Sequence, residues 1–479
     1  MSYPVPDLIP VLPEIFVAGM ACLILVVDLF IKPEHRIWTY LLTQATLVGA
    51  LIITLTNVEV GTRLSFNGAF ISDPLSVMLK SVVYVIVGVV FLYSRPYLKA
   101  RQMYRGEYFV LGLFGMLGMM IMISAGSFIS LYLGLELMSL SLYALVAFNR
   151  DSTQAAEAAM KYFVLGAIAS GMLLYGMSML YGITGSLDMT EINNRLMRGG
   201  DGINLPMMFG MVFIVAGIAF KLGAVPFHMW LPDVYHGAPT SVTLYLGTAP
   251  KLAAFAMIIR LLVEGLDVAQ DNWQDMFYIL ITLSLVIGNV VAIAQTNIKR
   301  MLAYSTISHV AFLLLGFLSG NGAGYAAALF YTVVYAIMAL AAFGMIMFLS
   351  RKGFESDRLD DFRGLNDRSP WLSLLMLIIM FSMAGVPLTA GFYAKLVVLQ
   401  AAVEADFVGL AVFAVIMSVI GAFYYLRVVK IMYFDKPLDE PLPLQPLDVR
   451  MVLSANGLLI LVLGFMPGVL MAFCQQAIS

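Results

Sequence analysis

Fourteen apolar stretches, each about as long as a bilayer is thick, follow one another through this chain of 479 residues and leave it few architectures. A helix needs roughly 20 apolar residues to cross a hydrocarbon core about 30 Å thick. The stretches lie near 8–31, 37–56, 74–95, 107–124, 127–149, 154–183, 206–226, 241–264, 274–296, 298–318, 322–350, 370–400, 405–430 and 451–474. In lipid every backbone polar group must be satisfied internally, which segments of this length achieve as helices. Only 12% of the residues are charged, against roughly 25% in soluble domains. The chain therefore reads as an all-α polytopic membrane protein of about 14 transmembrane helices. Low-complexity stretches are absent, so residues 1–479 are expected to form a single integral domain. The net charge of −2 gives no sign of nucleic-acid binding. Cys22 and Cys474 stand at opposite ends of the chain; they cannot build a metal cluster, and nothing supports a disulfide between them. The first segment has no basic residue before it and is followed by Lys32, as in a retained helix rather than a cleaved signal peptide.

Loop charge gives an orientation, because cytoplasmic loops hold an excess of Lys and Arg. With the N-terminus outside, the outer loops contain only Arg63, Arg195 and Arg198, and Arg260 sits near the outer end of the eighth segment. Lys80, Lys161, Lys221, Lys251 and Lys395 fall within the membrane, and the other eighteen of the 27 cations, Lys299 and Arg300 among them, lie on the inner side. Both termini are thus expected outside, and an odd number of helices would destroy the bias. The longest polar loop, 351–368, mixes both charges and reads equally as a solvated connector or as a docking surface for a soluble partner. The alternating outer stretch 57–73 suggests a short hairpin.

The charges inside the membrane carry the functional information. In Ala219-Phe220-Lys221-Leu222-Gly223-Ala224-Val225-Pro226 a lysine interrupts an apolar run and a proline follows five residues later. Pro226 lacks an N–H and clashes with the carbonyl of Leu222, so a helix break is predicted just past Lys221. Gly223-Ala224-Val225-Pro226-Phe227 has a partner in Ala384-Gly385-Val386-Pro387-Leu388, 161 residues later. The two lie in segments running opposite ways, as an inverted-topology repeat requires. Lys221 precedes one break and Lys395 follows the other. A lysine at mid-bilayer costs about 2.5–3.5 kcal/mol. Lys80 and Lys161 are near enough to segment ends to snorkel, whereas Lys221, Lys251 and Lys395 are deeper and point to an ion or proton path.

Glu136, central to the fifth segment, has no cation in its own helix, and Lys221 at similar depth is its expected partner. Glu157 and Lys161 are spaced i, i+4 and can pair locally, for structure or for function alike. Glu14, Asp28 and Asp73 fall near segment ends, where solvated positions are expected. His309 lies about a dozen residues into the tenth segment with hydroxyls just before it. Its ring suits proton transfer near neutrality, and equally suits a hydrogen-bonded core position. If Lys251, His309 and Lys395 share one hydrated interior line, protons can pass between them, and Pro250, freeing the carbonyl of Leu246, helps to hydrate it. His228 and His236 lack paired carboxylates at ligand spacing, so no metal site is expected. No nucleotide loop, nucleophile triad, haem motif or iron–sulfur spacing is present. The energy for transport then comes from another subunit or from an ion gradient.

Four runs carry a family resemblance: Tyr132-Leu133-Gly134-Leu135-Glu136-Leu137, the stretch from Lys221-Leu222-Gly223 through Pro226-Phe227-His228-Met229-Trp230-Leu231-Pro232-Asp233 to Gly237-Ala238-Pro239, Ala249-Pro250-Lys251, and the run from Gln295-Thr296-Asn297 to Ser308-His309. Over essentially its whole length the chain resembles the antiporter-like membrane subunits of bacterial proton-pumping NADH:quinone oxidoreductase, respiratory complex I. The wording around Pro232-Asp233-Val234-Tyr235 is similar to the subunit N branch. So is the length, which leaves no room after Ser479 for the lateral helix of the most distal sister subunit.

The resemblance implies three N-terminal helices (1–106) and two inverted five-helix repeats, helices 4–8 (107–264) and 9–13 (274–430). A C-terminal helix (451–474) follows, and helices 7 and 12 are broken at Pro226 and Pro387. It implies that Glu136 and Lys221 form the input pair, that Lys251 is the central lysine, and that Lys395 is the terminal one near the outer exit. It implies no redox cofactor in this chain, with flavin, iron–sulfur clusters and quinone in other subunits. The implied partners are other membrane-arm subunits, a neighbouring antiporter-like one included, in a bacterial cytoplasmic (inner) membrane. The nearest rival is a subunit of a multisubunit sodium/proton antiporter or of a membrane-bound hydrogenase. A structural scaffold with frozen ion pairs and a self-sufficient solute transporter are the rivals from other classes.

Overall fold

The computed structural model describes residues 6–57, 61–198, 205–437 and 445–479. Helices α1 (Leu12–Asp28), α2 (Ile37–Thr56) and α3 (Pro74–Ala100) are followed by α4 (Gly106–Ile123), α5 (Phe128–Val146) and α6 (Thr153–Thr184). A short polar helix, α7 (Met189–Arg198), leads to α8 (Leu205–Leu222), α9 (Trp230–Gly237), α10 (Thr240–Leu246) and α11 (Ala249–Ile258), which runs on as a π-turn over Ile259–Glu264. Then come α12 (Gln270–Ile293), α13 (Ile298–Phe317), α14 (Gly322–Leu349), the single turn α15 (Leu365–Arg368), α16 (Pro370–Ala384) and α17 (Ala390–Glu404). The chain closes with α18 (Val408–Phe434), α19 (Leu447–Phe465) and α20 (Pro467–Ile478).

Among the described residues thirteen helices are long and apolar enough to cross a membrane. The remaining expected crossing, 370–400, is two helices of 15 residues each, α16 and α17, neither of which reaches that length. Between α2 and α3 a hairpin pairs β1 (Arg63–Ser65) with β2 (Phe70–Ser72) in antiparallel register, as the alternation at 57–73 suggested; residues 58–60 of that stretch lie outside the described ones. The helix starts follow local chemistry. Asp73 accepts from the Ser76 N–H while the Ser76 hydroxyl accepts from the Asp73 N–H, and Ser127 and Ser130 build the same box before α5.

Close packing runs through α4 on α5, α12 on α13 and α6 on α8. α14 is the hub, touching α3, α10, α11, α13, α16, α17, α19 and α20. All of its 28 residues are buried except Gly322, Ala323 and Ile337. A helix apolar on every side can take that place because it has no polar face to solvate.

Both predicted breaks exist, but glycine makes them. α8 stops at Leu222 because Gly223 turns left-handed (φ +84), and the Gly223 and Ala224 N–H groups both return to the Ala219 carbonyl, at 2.9 and 2.8 Å. α16 stops at Ala384 in the same way, with Gly385 at φ +88 and the Gly385 and Val386 N–H groups on the Phe381 carbonyl at 3.0 and 2.9 Å. This is the Schellman ending, and the prolines beyond it, Pro226 and Pro387, only keep the helix from resuming. The eighth crossing is interrupted too: α10 ends before Gly247, and Thr248 leaves helical geometry (φ −120, ψ −93) ahead of Pro250.

Candidate functional site

A helix end leaves its last four carbonyls without intrahelical partners. At both breaks those carbonyls receive a lysine. The Lys251 ammonium, on a residue 2% exposed, donates to the Leu222 carbonyl at 2.8 Å and lies 3.5 Å from that of Lys221. Trp230 donates its indole N–H to the Phe220 carbonyl at 2.9 Å, and its ring centre is 5.8 Å from the same ammonium. At the second break Lys395 donates to the Ala384 and Met383 carbonyls at 2.9 and 3.1 Å and to the Ser418 hydroxyl at 2.8 Å, with the Phe312 ring 5.1 Å away. Each ammonium thus rests on the last two carbonyls before a left-handed glycine, where a half-helix presents its negative end. The two seats are filled differently. The first draws its lysine from the next crossing (α11), the second from the far half of the same crossing (α17), with α18 supplying Ser418.

Lys221, on the last turn of α8, donates to the Ser139 hydroxyl at 2.8 Å, and Ser139 donates on to the Leu135 carbonyl. The expected contact with Glu136 needs correction. Among the described residues Glu136 and Lys221 form no salt bridge, and Ser139, one turn further along α5, bonds the lysine instead. Glu136 is half-buried, and its Oε1 has no hydrogen-bond partner among the described residues.

His309 lies among hydroxyls of three helices: Nδ1 is 2.6 Å from Tyr331 and Nε2 3.1 Å from Tyr425, which in turn bonds Ser305. On the same helix Thr306 accepts from Tyr335 at 2.7 Å. Among the described residues no side-chain hydrogen bond joins Lys251 directly to this cluster.

Four other regions take partners from distant parts of the chain. Lys161 is 43% exposed and pairs with Glu157 at 2.9 Å, as its spacing suggested, but also with Asp233 at 2.8 Å, which Arg300 approaches to 2.7 Å. That places it in a surface tie between α6, α9 and α13. Glu14 is buried, not solvated, 2.6 Å from an equally buried Lys80. Asp73 bonds Arg260, a residue 1% exposed that also holds Glu264 at 2.6 Å. Finally, loop 351–368 is only partly solvated, with Lys352, Arg358, Asp360, Arg363 and Asp367 exposed. It folds back on the bundle, with the Asp357 carbonyl accepting from the Ile298 N–H at 2.7 Å.

Sequence reasoning missed Lys299 by counting it with the inner loops. It stands in the first turn of α13, 2% exposed, and donates to the Ala238 carbonyl at 2.7 Å. The available signal was Asn297, an N-cap whose side chain accepts from the Arg300 N–H and starts the helix before the lysine.

With this geometry in place, comparison with known proteins is informative. The family described as "NADH:quinone oxidoreductase/Mrp antiporter, TM" matches residues 125–421, which include Glu136, Lys221, Lys251, His309 and Lys395. The chain is 66% identical over 480 residues to NADH-quinone oxidoreductase subunit N of Thioalkalivibrio sulfidiphilus (strain HL-EbGR7), with 100% of each covered. Among solved structures it matches a chain of respiratory complex I from Thermus thermophilus with a TM-score of 0.81 at 30% identity, covering 96% of this chain and 98% of that one. A chain of the Mrp complex from Dietzia sp. DQ12-45-1b has the same fold, with a TM-score of 0.85, 19% identity, and coverage of 98% and 97%.

Proposed function

Because this chain belongs to the NADH:quinone oxidoreductase/Mrp antiporter family, and within it to the subunit N type, we propose that its buried lysines move protons across the membrane for a quinone oxidoreductase. The chain is an antiporter-like membrane subunit of that complex, and membrane-arm subunits are its partners. In the finer reading, Lys221 under the influence of Glu136 is the input, Lys251 the central carrier and Lys395 the terminal one, with His309 between the last two. Flavin, iron–sulfur clusters and quinone belong to other subunits, so this chain contributes proton transfer without redox chemistry of its own. A neighbouring antiporter-like subunit flanks it, and both termini face the outside of the bacterial inner membrane.

The observation that carries this reading is the pair of lysine seats at the broken helices. A carbonyl seat accepts N–H bonds from a charged ammonium and from a neutral amine alike, so the lysine can lose its proton without leaving an unpaired anion in the bilayer. The test uses the intact complex in proteoliposomes. Lys221→Ala or Glu136→Ala is expected to lower both proton pumping and the coupled electron transfer in normally assembled complex. Unchanged pumping with only assembly lost would support a scaffold instead.

A further inference from the structure

Between α9 and α10 the chain turns at Ala238-Pro239-Thr240. This corner joins the far half of the broken seventh crossing to the half-helix that leads to Lys251. The piece from α9 to α10 lies between two joints, the left-handed Gly223 and the non-helical Gly247-Thr248, and links the carbonyls of α8 to the helix that carries Lys251.

The corner is gripped from two sides. On one side the Lys299 ammonium meets the Ala238 carbonyl at the negative end of α9. On the other, Pro239 offers α10 no capping side chain, and the Thr240 N–H donates instead to the Tyr97 hydroxyl at 3.1 Å. Tyr97 donates to the Glu355 carboxylate at 3.0 Å, and the fully buried Thr240 hydroxyl and Arg101 bond the same carboxylate.

Both gripping groups ride on one unit. Loop 351–368 is tied to the start of α13 by Ile298 N–H to Asp357 carbonyl (2.7 Å), Leu359 N–H to Thr296 carbonyl (3.0 Å) and the Asn297 amide to the Asp357 carboxylate (2.8 Å). Arg101 adds a bond to the Phe354 carbonyl at 3.0 Å.

We propose that Glu355 and Lys299 are positioning residues for proton transfer: a clamp, carried by the second half of the molecule, that holds the α9–α10 corner so that Lys251 stays seated on α8. This rests on the proton-transfer reading above. The experiment compares assembled complexes for content, NADH oxidation and proton uptake. Glu355→Ala and Lys299→Ala are each expected to slow pumping about tenfold, a loss of about 1.4 kcal/mol in transition-state stabilisation, at normal complex content. Lys299→Arg, which can still reach the Ala238 carbonyl, restores at least half of the rate. Because Glu355 and Thr240 share one contact, Glu355→Ala combined with Thr240→Val falls no further than Glu355→Ala alone. Normal pumping by assembled Glu355→Ala, or an additive loss in the double variant, overturns the clamp. If Glu355→Ala does not assemble, Thr240→Val decides, since it removes a single hydroxyl bond; normal pumping there overturns the proposal. Lys251→Ala run in parallel separates the two claims. If it pumps normally, the proton-transfer reading fails; if it is inactive while the clamp variants pump normally, the clamp alone fails.

Discussion

A buried lysine seated on carbonyls and one seated on a carboxylate respond in opposite ways to the loss of charge. Lys251 and Lys395 rest on carbonyls at the ends of α8 and α16, so the neutral amine keeps its hydrogen bonds and no opposite charge is stranded. Lys80 rests on Glu14 at 2.6 Å with both residues buried, and removing the lysine there leaves a carboxylate alone in the core. Lys80→Met is therefore expected to destabilise the protein by about 3–5 kcal/mol, whereas Glu14→Gln with Lys80→Met recovers most of that loss. Thermal unfolding of the detergent-solubilised complex measures both, and a mild Lys80→Met would contradict the buried pair. The five membrane lysines were legible in the sequence because a charge in an apolar run is anomalous wherever it lies. Apart from Glu157 beside Lys161, their partners were not, since Ser139, Asp233, Glu14 and the carbonyls of α8 and α16 come from other elements of the fold.

At the scale of elements, the shared Val-Pro pair led to the right two breaks and to the wrong residue. Proline is scarce here, 19 residues against 40 glycines, so it stands out, while the φ that singles out Gly223 and Gly385 cannot be read from letters. Matched by its left-handed φ and helix-ending hydrogen bonds, Gly223 corresponds to Gly385, one position away from the alignment that the prolines suggest. The consequence is testable. A side chain at Gly385 must adopt a left-handed conformation, costing about 1–2 kcal/mol, and its Cβ would stand 3.0 Å from the Lys395 Cδ. Gly385→Ala is thus expected to displace Lys395 and reduce pumping severalfold. Pro387→Ala, acting after the helix has already ended, should leave most of it. Equal effects in the two variants would return the break to the proline.

For the whole molecule, the architecture was legible because lipid allows so little else: each long apolar run had to be a crossing, and thirteen of the expected fourteen are single helices of sufficient length or nearly continuous ones. Loop 351–368 was not legible, because its polar residues find their partners on α3, α10 and α13, far away in sequence. The direction of insertion is expected from charge rather than from packing. The end of the bundle formed by the loops after α1, α3, α5, α12, α14 and α18 carries most of the Lys and Arg residues, an excess characteristic of cytoplasmic loops. α20 packs on α14 and α3, with Ile478 near Gly322, and so brings Ser479 to the opposite, cation-poor end. Alkaline phosphatase fused after Ser479 is therefore expected to be active and green fluorescent protein at the same point dark. Fusions truncated after Gln102, in the basic turn that follows α3, should give the reverse pattern. Fluorescence at Ser479 with an active phosphatase at Gln102 would invert the orientation.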